Sequence, residues 1–269
     1  MSHFDLNTLP SQSGQDVQPG NATPAGSTMV RVKLPAKKTG VTYTILGLTI
    51  FIFLLQTASK SLSSFEIDYP AILGMKINEL ILQGEVWRLL TPVLLHASIP
   101  HILFNMYALY IYGRGLERFF GHKRFLLLYC LGGFAGNVWS FLFSSSPSLG
   151  ASTAVFGLVA AEAVFIYRNR FFFGNRARSM LVNTLFIVVI NLLLGLSPGI
   201  DNWGHMGGLL GGLAFAWFTG PIYKLDNTSP ELVITDQRGG ARLFQVTVAE
   251  FLIISMLALF KFTLAVKLG

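Results

Sequence analysis

The chain has 269 residues, of which 52% are hydrophobic and only 12% charged, with a mean hydropathy of +0.56. A soluble domain carries about 25% charged residues, so this composition excludes an ordinary soluble domain and indicates a membrane protein. The net charge of +7 would suit a nucleic-acid partner, but its placement along the chain excludes that class.

Residues 1–40 are rich in Ser, Pro, Gly, Asn and Gln, with no Arg or Lys before Arg31. They read as a disordered cytoplasmic tail, neither a secretory signal nor a transit peptide. Seven apolar runs follow: Val41–Thr57, Ile102–Tyr112, Phe125–Phe143, Ala151–Tyr167, Met180–Leu196, His205–Phe218 and Phe244–Val266. Several approach the ~20 residues needed to cross a bilayer. The second and sixth are long enough only if polar neighbours enter the membrane. The expected organisation is a catalytic transmembrane core over 41–222, a cytoplasmic linker over 223–245 and a seventh helix over 246–269. Cys130, the single cysteine, lies inside the third run, so no disulfide framework is expected.

Of the 20 Lys and Arg residues, 15 fall on one side of the membrane. They precede span one (Arg31, Lys33, Lys37, Lys38) or join spans two to three (Arg114, Arg118, Lys123, Arg124), four to five (Arg168, Arg170, Arg176, Arg178) and six to seven (Lys224, Arg238, Arg242). The positive-inside rule makes that side, with the N-terminus, cytoplasmic. A plasma (inner) membrane is the expected location. The basic balance reflects topology, not nucleic acid.

Spans two, four and six then run the same way, from outside to cytoplasm. Ser152 lies 16 residues, roughly 24 Å of helix rise, from the boundary at Arg168. His205 stands at a matching distance from the break at Gly220–Pro221. His101 and Asn105, one turn apart on span two, lie in the outer half as well. Each polar group alone reads as helix glue or a satisfied core residue. Four of them at one level point to a bundle interior or a water-filled cavity. The uncharged break FSSSPSLGAS ahead of span four lets a helix begin below the surface with Ser152 at its positive N-terminus.

A serine hydroxyl needs a base, and His205, in NWGHMGGLLGG, can supply one. Gly204, Gly208 and Gly212 at four-residue spacing allow the close helix approach that a Ser152–His205 hydrogen bond requires. No Asp or Glu lies at matching depth, so a dyad is expected, not a triad. Phe156 could stack beneath the imidazole. His101, Asn105 and the Ser152 N–H could form an oxyanion hole. Zinc is a weaker alternative: His96 and His101 are five apart and neither is followed by Glu. Glu162, six residues from Arg168, is expected to snorkel towards the cytoplasm.

At these residues the chain resembles the rhomboid intramembrane serine proteases. The matching motifs are Trp87–Arg88, HASIPHILFNM, GRGLERFFG (Gly113, Glu117, Gly121), GAS at 150–152 and GHMGGLLGG. The resemblance implies an all-α polytopic protein, a six-helix bundle with an extra C-terminal seventh transmembrane helix. It implies Ser152 as nucleophile and His205 as base, with Asn105, His101 and the Ser152 backbone as the oxyanion hole. His96, Glu117, Arg118, Gly208 and Gly212 would be structural. It further implies single-pass transmembrane substrates met in the lipid bilayer, no metal or other cofactor, no nucleic acid, and substrate entry at span five. Thr153 stands where many members have glycine, and Phe156 where many have tyrosine. A catalytically inactive relative that binds or escorts membrane clients is the competing reading. A transporter is disfavoured, because internal repeats and multiple intramembrane charges are missing.

Overall fold

The structure, a computed structural model, describes residues 37–226 and 233–268. The tail expected over 1–40 lies outside them except for its last four residues. Ten α-helices occur among the described residues. Helix α1 is Val41–Leu62, and α2 (Tyr69–Gly74) and α3 (Asn78–Leu82) are short. Then come α4 (Ile99–Ala108), α5 (Arg114–Phe143), α6 (Ser152–Arg168), α7 (Arg170–Phe173), α8 (Arg176–Leu194) and α9 (Asn202–Thr219). Strands β1 (Tyr223–Asp226) and β2 (Val233–Asp236) pair antiparallel before α10 (Gly240–Leu268).

Among the described residues, four helical stretches are long and apolar enough to cross a membrane: Val41–Leu62, Ile99–Phe143, Arg176–Leu194 and Gly240–Ala265. The second is 45 residues long, enough for two spans. A five-residue π-helical turn, Leu109–Gly113, joins α4 to α5 without a break. The chain kinks inside α5 at Gly121, where φ is 77° and ψ 165°, a backbone conformation that a side chain resists. The charged connection expected between spans two and three is therefore helical up to Phe120. Leu116 and Phe120 are buried, so the stretch that carries charge also contributes to the core. This extension removes the apparent shortness of span two. With α6 and α9, the fold is the expected all-α bundle of six helices with a seventh, α10.

The start of α1 is held by one carboxylate. Glu117, fully buried, accepts the N–H groups of Gly40, Val41 and Thr42 and the Thr42 hydroxyl, all within 2.8 Å. These are the N–H groups a helix start leaves without partners, and the charge also meets the positive end of the helix dipole.

Helix α6 is the centre of the bundle, buried along most of its length between α5 and α9. The contact with α9 is backbone against backbone. A Cβ on Gly208 would run into the Thr153 carbonyl, and one on Gly212 into the Gly157 backbone. By contrast α8 and α10 leave most of their Leu, Ile, Val and Phe side chains exposed, as suits helices that face lipid.

At the Arg168 end, the segment expected as a plain linker contains the β1–β2 hairpin, and the last helix starts at Gly240, six residues earlier than its expected boundary. Arg124 pairs with Asp236 at 2.5 Å, and Arg238 donates to the Gly220 carbonyl at 3.0 Å. Asn169 bridges the Pro221 carbonyl and the Tyr223 N–H, tying the ends of α6 and α9 together. Glu162 is half-buried on α6 beside Thr184, the one buried residue in the middle of α8, whose hydroxyl donates to the Met180 carbonyl.

Candidate active site

The site is built where α4, α6 and α9 meet the loop 144–151. That loop owes its shape to a lysine. Lys76 is 0% exposed, and its ammonium donates to the Ser140 hydroxyl and to the carbonyls of Ser144 and Ser146. Its own backbone pairs with Ser148 in both directions. Burial pushes the Lys76 ammonium down to about 8, partly offset by the carboxylates of Asp201 and Glu79. In the sequence, Lys76 is just one of the few cations on the sparsely charged side, and nothing nearby in the chain marks it as the anchor of a loop 70 residues on. Arg88 has a similar task in the first loop, donating to the Met75 and Ile72 carbonyls at 2.8 Å, while Trp87 donates to the Leu73 carbonyl.

Beyond that anchor, Gly150 donates its N–H to the Pro92 carbonyl, and the Ala151 N–H meets His96 Nε2 at 3.4 Å. His96 is fully buried and is itself held by Gln56, through its backbone N–H and carbonyl. The two amides before Ser152 are thus taken. Ser152 is the first residue of α6, so its own N–H has no acceptor within the helix.

Ser152 Oγ lies 2.9 Å from His205 Nε2. Such a contact has the hydroxyl donating when the imidazole carries its proton on Nδ1. Phe156 stacks on the His205 ring, with centroids 4.3 Å apart and planes 13° from parallel. Both orienting contacts depend on the glycine-mediated approach of α9 to α6.

His101 enters from α4, whose start is capped by the Ser98 hydroxyl. Its Nδ1 faces the Ala97 N–H at 3.4 Å, which leaves Nε2 to carry the proton. That Nε2 points at Gly150. A Cβ on Gly150 would sit 2.8 Å from His101 Nε2 and 3.6 Å from Ser152 Oγ, so the two groups flank one small space. Gly150 also has φ of 140°, which adds a conformational reason for glycine there. Asn105 Nδ2 donates to the His101 carbonyl at 3.0 Å, leaving its second N–H for another acceptor.

Of the residues expected to be structural, His96 and Glu117 are buried with the partners described, and Gly208 and Gly212 lie at the α6–α9 contact. Arg118 differs: its carbonyl accepts the Lys37 N–H while its side chain is exposed. Thr153 is buried where α5, α6 and α9 converge, its side chain lying against Gly136 and Gly204. A Cβ on Gly136 would meet the Thr153 Cβ at 2.5 Å, so a glycine on the neighbouring helix makes room for the threonine. The sequence marks neither residue as half of a pair.

These features define a polytopic helical membrane protein with a serine and a histidine hydrogen-bonded inside its bundle, below a polar loop. The rhomboid domain family matches residues 83–222, just over half of the chain, and the chain belongs to the rhomboid family. It is 42% identical over 172 residues to the Rhomboid protease GluP of Bacillus subtilis (strain 168), covering 64% of this chain and 33% of that protein. It is 34% identical over 166 residues to the chloroplastic RHOMBOID-like protein 9 of Arabidopsis thaliana, covering 61% and 38% respectively. RHOMBOID-like protein 1 of the same plant is 38% identical over 157 residues, 57% of this chain and 40% of that one. The chain therefore spans about a third to two fifths of the length of these relatives.

Proposed function

We propose that this protein is an intramembrane serine endopeptidase that cuts single-pass transmembrane proteins in the outer part of their span. The observation that carries the reading is the 2.9 Å contact between Ser152 Oγ and His205 Nε2 inside the bundle, with the imidazole held by Phe156. A packing histidine has no need of a serine at the start of a neighbouring helix. A nucleophile and its base do.

In the proposed reaction, His205 Nε2 takes the hydroxyl proton as Ser152 Oγ attacks the scissile carbonyl. The oxyanion that forms is received by the Ser152 N–H, by His101 Nε2–H and by the free N–H of Asn105. Donors placed in this way are worth about 3–4 kcal/mol each. His205 returns the proton to the leaving amine, and water then hydrolyses the acyl-enzyme with His205 again as base.

The depth of Ser152 sets where the cut falls. Seventeen residues of α6 span about 25 Å, so a serine at its first position lies near the outer face of a ~30 Å core. A substrate helix shields its carbonyls until a segment unwinds, and Gly or Pro lower that barrier by roughly 1 and 3 kcal/mol against Ala. Purified protein incubated with one single-pass substrate, scanned with Leu and Gly along its span, should give fragments ending in the outer third. Mass spectrometry showing cuts in the cytoplasmic third would refute the depth argument. No cuts at all, with the substrate co-purifying, would favour the client-binding reading.

Orientation rests on the charge asymmetry. A cysteine at Ser146 is expected to label from outside intact cells, and one at Asn175 only after permeabilisation. The reverse pattern would turn the site towards the cytoplasm.

A further inference from the structure

We infer that Asp201 is a positioning residue for the proposed reaction, acting through His205 by its negative charge. The inference rests on the Ser152–His205 reading. Asp201 immediately precedes α9, one turn and about 6 Å of rise from His205. Its Oδ1 caps the helix by accepting the Gly204 N–H at 2.9 Å. Its Oδ2 is buried without a partner, and so is His205 Nδ1. The dyad contact uses Nε2, so the ring nitrogen left over is a buried N–H with no acceptor, one turn from a buried carboxylate oxygen with no donor.

The carboxylate has two consequences. Its cap fixes the first turn of α9, on which the imidazole stands, since the His205 N–H bonds to the Asp201 carbonyl at 3.1 Å. Its charge favours the imidazolium that forms when His205 accepts the serine proton, and does so through space where solvent screening is weak. The charged or titratable groups around the pair are few. His101 faces His205 from α4, and Lys76 faces Asp201 from the loop after α2. Lys76 is held by serine oxygens and is not in ion-pair contact with Asp201. The carboxylate is thus within electrostatic reach of both a fixed cation and the base.

Asp201→Asn separates the two effects, because asparagine caps a helix as well as aspartate does and carries no charge. The full chain in detergent or liposomes, with a single-pass substrate, is assayed between about pH 3 and 7.5, a range that covers histidine titration and its acid side and stays below the transition of Lys76. Asp201→Asn should keep the wild-type melting temperature and KM, lower kcat roughly tenfold, and move the acid limb of kcat/KM down by about one pH unit. Asp201→Ala should add a loss of melting temperature. A wild-type rate and limb in Asp201→Asn overturns the inference, as does a slower variant whose limb has not moved. Ser152→Ala runs in parallel. If Ser152→Ala is inactive while Asp201→Asn behaves as wild type, this inference alone falls; if Ser152→Ala cleaves normally, the serine-protease reading falls and takes it along.

Discussion

Ser152→Ala and His205→Ala should each reduce cleavage to background, a fall of at least about a thousandfold, with no loss of the folded state. The two side chains act as one unit, and removing either member of such a unit costs nearly as much as removing both. What survives is whatever the oxyanion donors contribute alone. The fold is expected to tolerate both changes. The Ser152 hydroxyl is bonded to His205 rather than used to cap α6, and α9 is held by Gly208 and Gly212 as well as by the imidazole. The double variant should be no less active than either single one. Cleavage by Ser152→Ala at the wild-type rate, measured on the same substrate, would sink the serine mechanism. Strong inhibition by EDTA would instead revive a metal reading.

Gly208→Ala should be nearly as damaging, for a different reason. Its new Cβ meets the Thr153 carbonyl far inside contact distance, and that carbonyl is part of a helical backbone which cannot rotate away. Either α9 moves off α6 or the first turn of α6 distorts. Overpacking of this kind costs about 1–3 kcal/mol of stability. The larger effect is on geometry, since the Ser152–His205 contact of 2.9 Å and the Phe156 stack both bridge these two helices. A displacement of about 1 Å at a reacting pair lowers rate by roughly a hundredfold. We expect a lower melting temperature together with at least that loss of kcat. Gly115→Ala, whose Cβ would meet nothing within 4 Å, is the control and should change neither. Wild-type activity in Gly208→Ala would show that the α6–α9 spacing is not what holds the dyad.

Much of this molecule is legible along the chain because membrane helices obey simple counting. A hydrophobic run is a span, a basic loop is a cytoplasmic end, and 1.5 Å per residue converts a position into a depth. That arithmetic alone puts Ser152, His205, His101 and Asn105 at one level. It fails where a segment serves two purposes. Residues 114–120 carry charges and read as a loop, yet Leu116 and Phe120 are core and the backbone stays helical up to Gly121. Glu162 reads as reaching for water because Arg168 is near in sequence, whereas its neighbour across the bundle is Thr184, 22 residues away on α8.

Composition and linear spacing are enough for the membrane class, the number of spans and the level at which polar side chains gather. Each of these depends only on composition and on distance along one helix. Which of those groups touch is a property of the packed bundle. Lys76 anchoring the loop 144–148, Gly136 making room for Thr153, and Asp201 left unpartnered one turn from the base all depend on the lateral packing of segments far apart in sequence. Helical rise fixes height within a membrane, but rotation about each helix axis and the distance between axes are set by side chains on neighbouring helices, and no single helix encodes them.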